Sequence, residues 1–409
     1  MKCRHCNTEL KLSFIDLGGA PPSNSYLSLK ALSEKEVWYP LRVLVCEKCW
    51  LVQTEDFVKE DEMFSPDYAY FSSFSTSWLS HAKKYVEKMV VDLSLDEKSL
   101  VVEVAANDGY LLQYVVEKGV ECYGIEPTHG TAQAAKEKGI EIIEEFFGVN
   151  KAIELSKLGR QADLMIANNV LAHVPDINDF VEGFSILLKP NGVATFENPH
   201  LLNLVDKNQF DTVYHEHYSY LSLTSVQKIF QSNGLIVFDV EELSSHGGSL
   251  RYFAQHNATG VRPVNDKVQA MLHKEFLAGL TTKQFYGGFQ EKANKVKYNL
   301  LNFLLKAKSE GKKVVAYGAA AKGNTLLNFA GVRGDLLSYI VDKNPAKQGM
   351  FSPGNRIEVT VEDYLKKDKP DYVLILPWNL TNEITDQLSY IRKWGGRFVV
   401  AVPDFSILE

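Results

Sequence analysis

Between Tyr214 and Tyr220 the chain reads Tyr-His-Glu-His-Tyr-Ser-Tyr, with two imidazoles, a carboxylate and three phenols in seven residues. These are the side chains that move protons. Imidazole titrates near neutrality, so it can act first as a base and then as an acid. In an extended strand His215 and His217 would share one face, and Tyr214, Glu216 and Tyr218 the other. A turn would break that division. Three chemistries stay open for the stretch: proton transfer in catalysis, an HxH metal site with further ligands from elsewhere, or a polar cluster that only holds a loop.

A second group of reactive residues lies near the N-terminus. Cys3-x-x-Cys6 and Cys46-x-x-Cys49 are two CxxC knuckles. Each two-residue gap lets two thiolates face one ion, so Cys3, Cys6, Cys46 and Cys49 are expected to form a structural Zn(Cys)4 site. Four protein ligands leave no open position, which assigns the metal to folding rather than catalysis. The competing reading is two redox or free-thiol pairs. Gly18-Gly19-Ala20-Pro21-Pro22-Ser23-Asn24 is a turn-rich loop between the knuckles. Cys122 stands alone and reads as a small buried hydrophobe.

Elements able to position a ligand follow. Asp67-Tyr68-Ala69-Tyr70-Phe71-Ser72-Ser73-Phe74-Ser75 is rich in aromatics and hydroxyls, and reads as interdomain packing or as a lid over a polar ligand. A helix is expected from Ser75 or Thr76, with Trp78, Leu79, Ala82, Tyr85, Val86 and Met89 at helical spacing. Ser99–Val104 is a β-branched strand that runs into the small-residue turn Ala105-Ala106-Asn107-Asp108-Gly109. Small residues let backbone amides approach a ligand at the C-terminal edge of a parallel sheet. Glu126 ends a second strand and could bind ribose hydroxyls. This βαβ logic serves dinucleotides and S-adenosylmethionine alike, but the turn lacks GxGxxG spacing.

From Lys313 a second α/β unit begins. Lys313–Tyr317 is a strand, Gly318-Ala319-Ala320-Ala321-Lys322-Gly323-Asn324 a turn and helix start, and Asp342 ends the next strand, Leu337–Val341. Asp371–Leu376 and Arg397–Val402 supply two more buried strands. Gly318, Lys322 and Gly323 at a helix N-terminus suit a diphosphate. A structural duplicate that binds nothing is the other reading. Residues 262–312 read as one or two connecting helices.

The stretch Ala162–Asp176, which contains Asn168, Asn169 and His173, resembles the fourth strand and following loop of class I methyltransferases. Leu188-Lys189-Pro190-Asn191-Gly192 resembles the turn into their fifth strand, and Gly234–Val240 with Leu250–Phe253 their closing hairpin. With the double CxxC, the Tyr-His-Glu-His stretch, His246-Gly247-Gly248-Ser249 and the terminal unit, the whole chain resembles one family. That family is the S-adenosylmethionine-dependent sugar C-methyltransferases acting on nucleotide-linked 4-keto-deoxy sugars.

The resemblance implies an α/β protein of three parts. They are a zinc-binding domain (1–72), a class I methyltransferase Rossmann-like core (73–283) and a second Rossmann-like domain helping to bind the nucleotide sugar (284–409). It implies C-3 methylation of a TDP-linked sugar, with GDP as the alternative and C-5 as the competing carbon. The cofactor would meet Glu103, Ala105, Asn107, Asp108, Gly109, Glu126, Asn168 and Asn169. Ala105 stands where the family usually has glycine. His217 would be the base, Tyr214 and His173 donors to the enolate oxygen, and Glu216 a partner of an imidazole or a sugar hydroxyl. Tyr68 or Tyr70 would reach the sugar, and His246, Lys322, Asn324 and Lys347 would contact the rest of the substrate. His246-Gly247-Gly248 also reads as a bulge that only glycine allows.

Composition agrees with a soluble enzyme. The 409 residues exceed one ordinary core, and 45% hydrophobic with 23% charged residues is a globular mixture. A net charge of −7 argues against a nucleic-acid surface. No apolar run approaches the ~20 residues that cross a bilayer, and no apolar segment follows the basic start Met1-Lys2. The expected location is cytoplasmic, with the cysteines as thiols or metal ligands rather than disulfides. The sequence leaves the oligomeric state open, a monomer included. A nicotinamide-dependent reductase or epimerase, a non-catalytic zinc scaffold and an O-methyltransferase are the alternatives.

Overall fold

The computed structural model describes residues 1–57 and 71–408. Tyr68 and Tyr70 lie outside the described residues. The strands, numbered β1 to β17 along the chain, form three sheets.

The first sheet has the order β1 (Leu12–Ala20), β2 (Tyr39–Val45), β3 (Val52–Thr54) and β9 (Ser219–Tyr220), all antiparallel. Leu12 pairs with Val45, so the β1–β2 hairpin folds the long gap between the knuckles back on itself. The fourth strand is the end of the Tyr-His-Glu-His stretch, where Val52 faces Tyr220. The N-terminal sheet therefore holds the candidate catalytic residues directly.

The second sheet has the order β10 (Leu235–Leu243), β11 (Ser249–His256), β8 (Leu188–Pro199), β7 (Ala162–Asn168), β4 (Leu100–Val104), β5 (Glu121–Ile125) and β6 (Glu141–Ile143). From β6 to β8 the strands are parallel, and β11 and β10 close the edge as an antiparallel hairpin. Val101, Val102 and Val104 are all buried, as in a strand covered on both faces. The third sheet repeats the plan as β14 (Val359–Thr360), β13 (Ile340–Val341), β12 (Val314–Tyr317), β15 (Tyr372–Ile375), β16 (Arg397–Val400) and antiparallel β17 (Ser406–Leu408). Each sheet steps outward from its first strand one way and then the other. Each therefore has a switch point, between β4 and β7 and between β12 and β15, where such folds open a crevice.

Three local expectations change. Lys189–Gly192 is absorbed into β8 as a register shift, where a Cβ on Gly192 would lie 2.9 Å from the Ala162 carbonyl. The strand expected over 337–341 shortens to Ile340–Val341. The connection over 262–312 holds three helices, Asp266–Leu277, Lys283–Tyr286 and Phe289–Ser309. The helix Thr76–Asp92 starts where expected, with Ser75 Oγ accepting the Trp78 amide.

One apolar core joins the first sheet, the helix Phe289–Ser309 and one face of the third sheet. Phe14 stacks on Phe289 at 4.4 Å between centroids. Such a pair adds about 1 kcal/mol to the burial itself. The N-terminal and terminal units are thus packed together, and the loop after β1 lies where they meet.

Candidate active site

The four cysteine sulfurs lie within 4.8 Å of one another, with Cys3–Cys49 and Cys6–Cys46 each at 3.5 Å. Each knuckle is closed by a backbone bond, Asn7 N to Cys3 O and Trp50 N to Cys46 O. Each then ends on a left-handed residue, Asn7 at φ 57° and Trp50 at φ 66°. Matched knuckles converging on one point fit tetrahedral thiolate ligation of zinc. Among the described residues this is the one cluster of three or more His, Cys, Asp or Glu able to hold a metal. His215 and His217 are not part of it.

At the end of β4 the chain makes a tight bowl. Ala105 (φ 57°), Asn107 (φ 50°) and Gly109 (φ 72°) are left-handed, and Ala105 and Ala106 both donate to the Ile125 carbonyl. A Cβ on Gly109 would strike Ile140 Cδ1 at 2.5 Å, so only glycine fits. Glu126 accepts the Asn107 amide at 2.9 Å and the Thr128 amide at 3.0 Å. Among the described residues, buried Asp108 Oδ1, Asn168 Oδ1 and Asn169 Oδ1 lack partners, and the buried Glu103 carboxyl has the Tyr110 hydroxyl beside it. Buried polar groups are normally satisfied. Burial pushes the Glu103 carboxyl well above the usual carboxylate range, beside the Tyr110 hydroxyl. Acceptors of this kind fit the ammonium and hydroxyl donors of S-adenosylmethionine. Trp78 roofs the space, stacked on Tyr110 at 5.8 Å and on His81 at 4.9 Å. Ser72 N donates to Asn107 Oδ1 and Ser73 N to Asp108 Oδ2, so the segment before Ser75 closes over the turn.

The Tyr-His-Glu-His stretch is a turn, with His217 N bonded to Tyr214 O. The two histidines consequently part. His215 points to the Pro40 carbonyl at 3.2 Å and packs on Tyr39. His217 donates from Nδ1 to the Thr212 carbonyl at 2.8 Å, which leaves Nε2 with the lone pair, 2.8 Å from the Tyr214 hydroxyl. His173 meets it edge-on, with ring centroids 4.6 Å apart. Burial lowers the pKa of both rings: His173 falls to about 4, and His217, with His173 adding to the effect, falls well below the histidine norm. Both are neutral imidazoles at neutral pH. Glu216 is buried and turned toward the loop after β1, where Asn24 Nδ2 donates to both its oxygens.

The sequence model of the C-methyltransferase C-terminal domain matches residues 244–403, a methyltransferase-domain model matches 78–240, and a zinc-binding-domain model matches 3–64. The C-methyltransferase NovU of Streptomyces niveus is 33% identical over 410 residues, covering 100% of this chain and 97% of NovU. The chain belongs to the C-methyltransferase family. Solved structures with partial likeness include the magnesium protoporphyrin IX methyltransferase of Synechocystis with bound S-adenosylmethionine, at 15% identity and TM-score 0.36. That match covers 50% of this chain and 100% of that one. A second is an S-adenosylmethionine-dependent methyltransferase of Anabaena variabilis, at 10% identity and TM-score 0.36, covering 43% and 84%.

In this C-methyltransferase the terminal unit reaches the same space through Lys322. Its ammonium bonds Asn379 Oδ1 at 2.7 Å and lies 4.7 Å over the Trp378 ring. Its charge contributes to the lowered pKa of both His217 and His246, which places it on their side. Burial lowers its own pKa, with Asp211 opposing. His246 sits at φ 52° with its ring edge-on to Trp78 at 5.0 Å, and burial takes it down to about 4. Gly247 beside it is required, since a Cβ would lie 2.6 Å from Trp378 Cη2. Asn324 and Lys347 do not join this group. Asn324 Nδ2 donates to Ser23 O and the Tyr26 hydroxyl, and Lys347 Nζ to Ala319 O.

Several members of the site gave no signal in the sequence. Asp211 is fully buried, accepts the Trp378 indole N–H at 2.8 Å, and is pushed up to about 6 by burial. Glu197 accepts from His81, Arg251 and Ser245; burial opposes ionisation, yet His81 and Arg251 hold its carboxyl down at about 2. Through Ser245 it anchors the His246 turn. Each of these is an isolated polar residue in an apolar strand or loop. A charge inside the buried β8, as at Glu197, was the one available hint.

Proposed function

We propose that this enzyme methylates carbon C-3 of a nucleotide-linked 4-keto-6-deoxy or 3,6-dideoxy sugar by way of an enolate. The observation that carries the reading is the His217–Tyr214 pair. A neutral imidazole with its Nδ1–H committed to Thr212 offers Nε2 as the base, in a fixed tautomer, with a phenol beside it.

Carbon is not nucleophilic until a proton beside a carbonyl is removed. The 4-ketone acidifies the C-3 hydrogen. His217 Nε2 takes that proton, and the Tyr214 hydroxyl, released from Nε2, turns to the oxygen where charge develops. His173, whose N–H is given to the Glu216 backbone carbonyl, packs edge-on against the base and leaves Tyr214 as the donor to that oxygen. Glu216 accepts a sugar hydroxyl and sets the face of the ring presented to the cofactor. S-adenosylmethionine supplies an electrophilic methyl when bound. Glu103, Asp108, Asn168 and Asn169 hold it at the mouth of β4 and β7, and Glu126 takes the ribose. Lys322, facing the histidines from the terminal unit, is the candidate contact for the diphosphate, as a point charge. His246 supports the rim.

Incubation of TDP-4-keto-6-deoxyglucose with enzyme and S-adenosylmethionine tests the reading. Mass spectrometry should show a gain of one methyl, and NMR should place it on C-3. A methyl on oxygen would move the assignment to O-methylation. No gain with this sugar, its 3-deoxy analogue or their GDP counterparts would remove the sugar assignment.

A further inference from the structure

We propose that Asn24, in the loop after β1, is a positioning residue for this reaction, its amide holding the Glu216 carboxylate in the orientation the substrate meets. The inference rests on the reading of Glu216 as a sugar-facing group. Asn24 Nδ2 stands 2.7 Å from Oε1 and 2.9 Å from Oε2 of Glu216, across 192 residues of sequence. Glu216 is 2% exposed. A carboxylate so buried depends on donors that cannot move away.

Neither side of this contact is free to drift, because one helix fastens both. In the helix Ala321–Ala330, Asn324 Nδ2 donates to the Ser23 carbonyl at 2.8 Å, gripping the residue before Asn24. The next residue, Thr325, donates from Oγ1 to the Val213 carbonyl at 3.0 Å, gripping the residue before Tyr214. Further ties hold the loop. The Tyr26 hydroxyl donates to Ala319 O at 2.6 Å, Tyr26 N donates to Asn24 O, and Leu27 exchanges two 2.8 Å bonds with Phe351. Among the described residues, the charged and titratable neighbours of the pair include Lys347, bonded to Ala319 O and 5.1 Å over the Tyr26 ring, Tyr26 itself, and His173, hydrogen-bonded to the Glu216 backbone. The helix N-terminus whose sequence suits a diphosphate thus works as a jig that sets an N-terminal amide against a catalytic-loop carboxylate.

The test compares Asn24→Ala with Asn24→Asp in the full-length zinc-loaded enzyme. Aspartate keeps the shape of asparagine but puts a carboxylate against Glu216. We expect Asn24→Ala to lower kcat by about tenfold to a hundredfold, the worth of a hydrogen bond to a charged group, with KM for S-adenosylmethionine unchanged. Asn24→Asp should be the worse of the two. Asn24→Ser, which keeps a donor, should recover part of the loss. An Asn24→Asp enzyme at least as active as Asn24→Ala, or both at the wild-type rate, overturns the proposal. If wild-type enzyme turns over no keto sugar, the substrate reading fails by itself. The pair is then judged by thermal unfolding of Asn24→Ala, Glu216→Ala and the double variant: coupled shifts support the contact and additive shifts overturn it.

Discussion

The two Rossmann-like turns of this chain share a plan and differ in what fills them. Both follow the first strand of a sheet in the order 3-2-1-4-5, and both have an acid at the end of the second strand that accepts a turn amide. Glu126 takes Asn107 N at 2.9 Å and Asp342 takes Ala319 N at 2.6 Å. At the first turn, buried acceptors on Asp108, Asn168 and Asn169 have no partner among the described residues. At the second, the Ala319 carbonyl already receives Tyr26 and Lys347, and Asn324 Nδ2 is spent on Ser23 and Tyr26, leaving Asn324 Oδ1 without a donor. Its glycines serve packing: a Cβ on Gly318 would meet Pro377 at 2.4 Å and one on Gly323 would meet Leu376 at 2.7 Å. One turn is shaped for a ligand and the other for a loop of the same chain. Spacing alone does not separate them; the donors within reach do.

Removing zinc should have the largest effect and should divide the two regions. Structural zinc carries about 10–16 kcal/mol of apparent binding energy in small domains. Chelation should loosen the first sheet, with it β9 and the His217 loop, and empty the second turn of its plug. Turnover should disappear while calorimetry still finds S-adenosylhomocysteine bound at the first turn. Parallel loss of that binding would break the distinction.

Glu103→Gln should come next. Losing a hydrogen bond to the charged cofactor should weaken S-adenosylmethionine binding by about tenfold to a hundredfold. Stability of the cofactor-free protein should move the other way, with a pH dependence of definite sign. Burial raises the folded-state pKa of Glu103 above its unfolded value. Its stability contribution is therefore full below the unfolded carboxylate pKa and lost as pH rises toward the folded one. The melting-temperature advantage of Glu103→Gln should be near zero around pH 4 and grow toward pH 8. A constant difference across that range would contradict a protonated Glu103.

Tyr26→Phe should be the mildest. It deletes the donor to Ala319 O and an acceptor for Asn324, at about 1 kcal/mol of stability. Affinity for S-adenosylhomocysteine should not change. A measurable fall would mean that the plug of the second turn also reaches the first.

Much of this was legible in the residues. The CxxC pairs, the alternation of strands and helices, and the small-residue turn after β4 are local patterns, and they survive folding because local chemistry sets them. The catalytic loop was legible in composition but not in shape. A four-residue turn sends His215 to Pro40 and His217 to His173, where an extended strand would have kept the histidines together. The contacts that Asn324 and Lys347 make at the second turn were not legible for a different reason. Its partner, the Ser23–Tyr26 segment, lies about three hundred residues earlier in the chain. Asp211 was invisible because a single buried polar residue has no pattern to read, and Asn24 and Trp378 because their partners, Glu216 and Asp211, lie far away in the chain.

The most direct test of the enolate account is deuterium exchange at the sugar ring. TDP-4-keto-6-deoxyglucose is incubated in deuterated water with wild-type enzyme and with His217→Asn, S-adenosylhomocysteine in place of the methyl donor, and mass is followed over time. The account predicts that wild-type enzyme exchanges one C-3 hydrogen and that His217→Asn slows exchange by about 10²–10⁴-fold, the usual worth of a general base, while still binding S-adenosylhomocysteine. Equal exchange by both proteins would take the base away from His217 and contradict the mechanism.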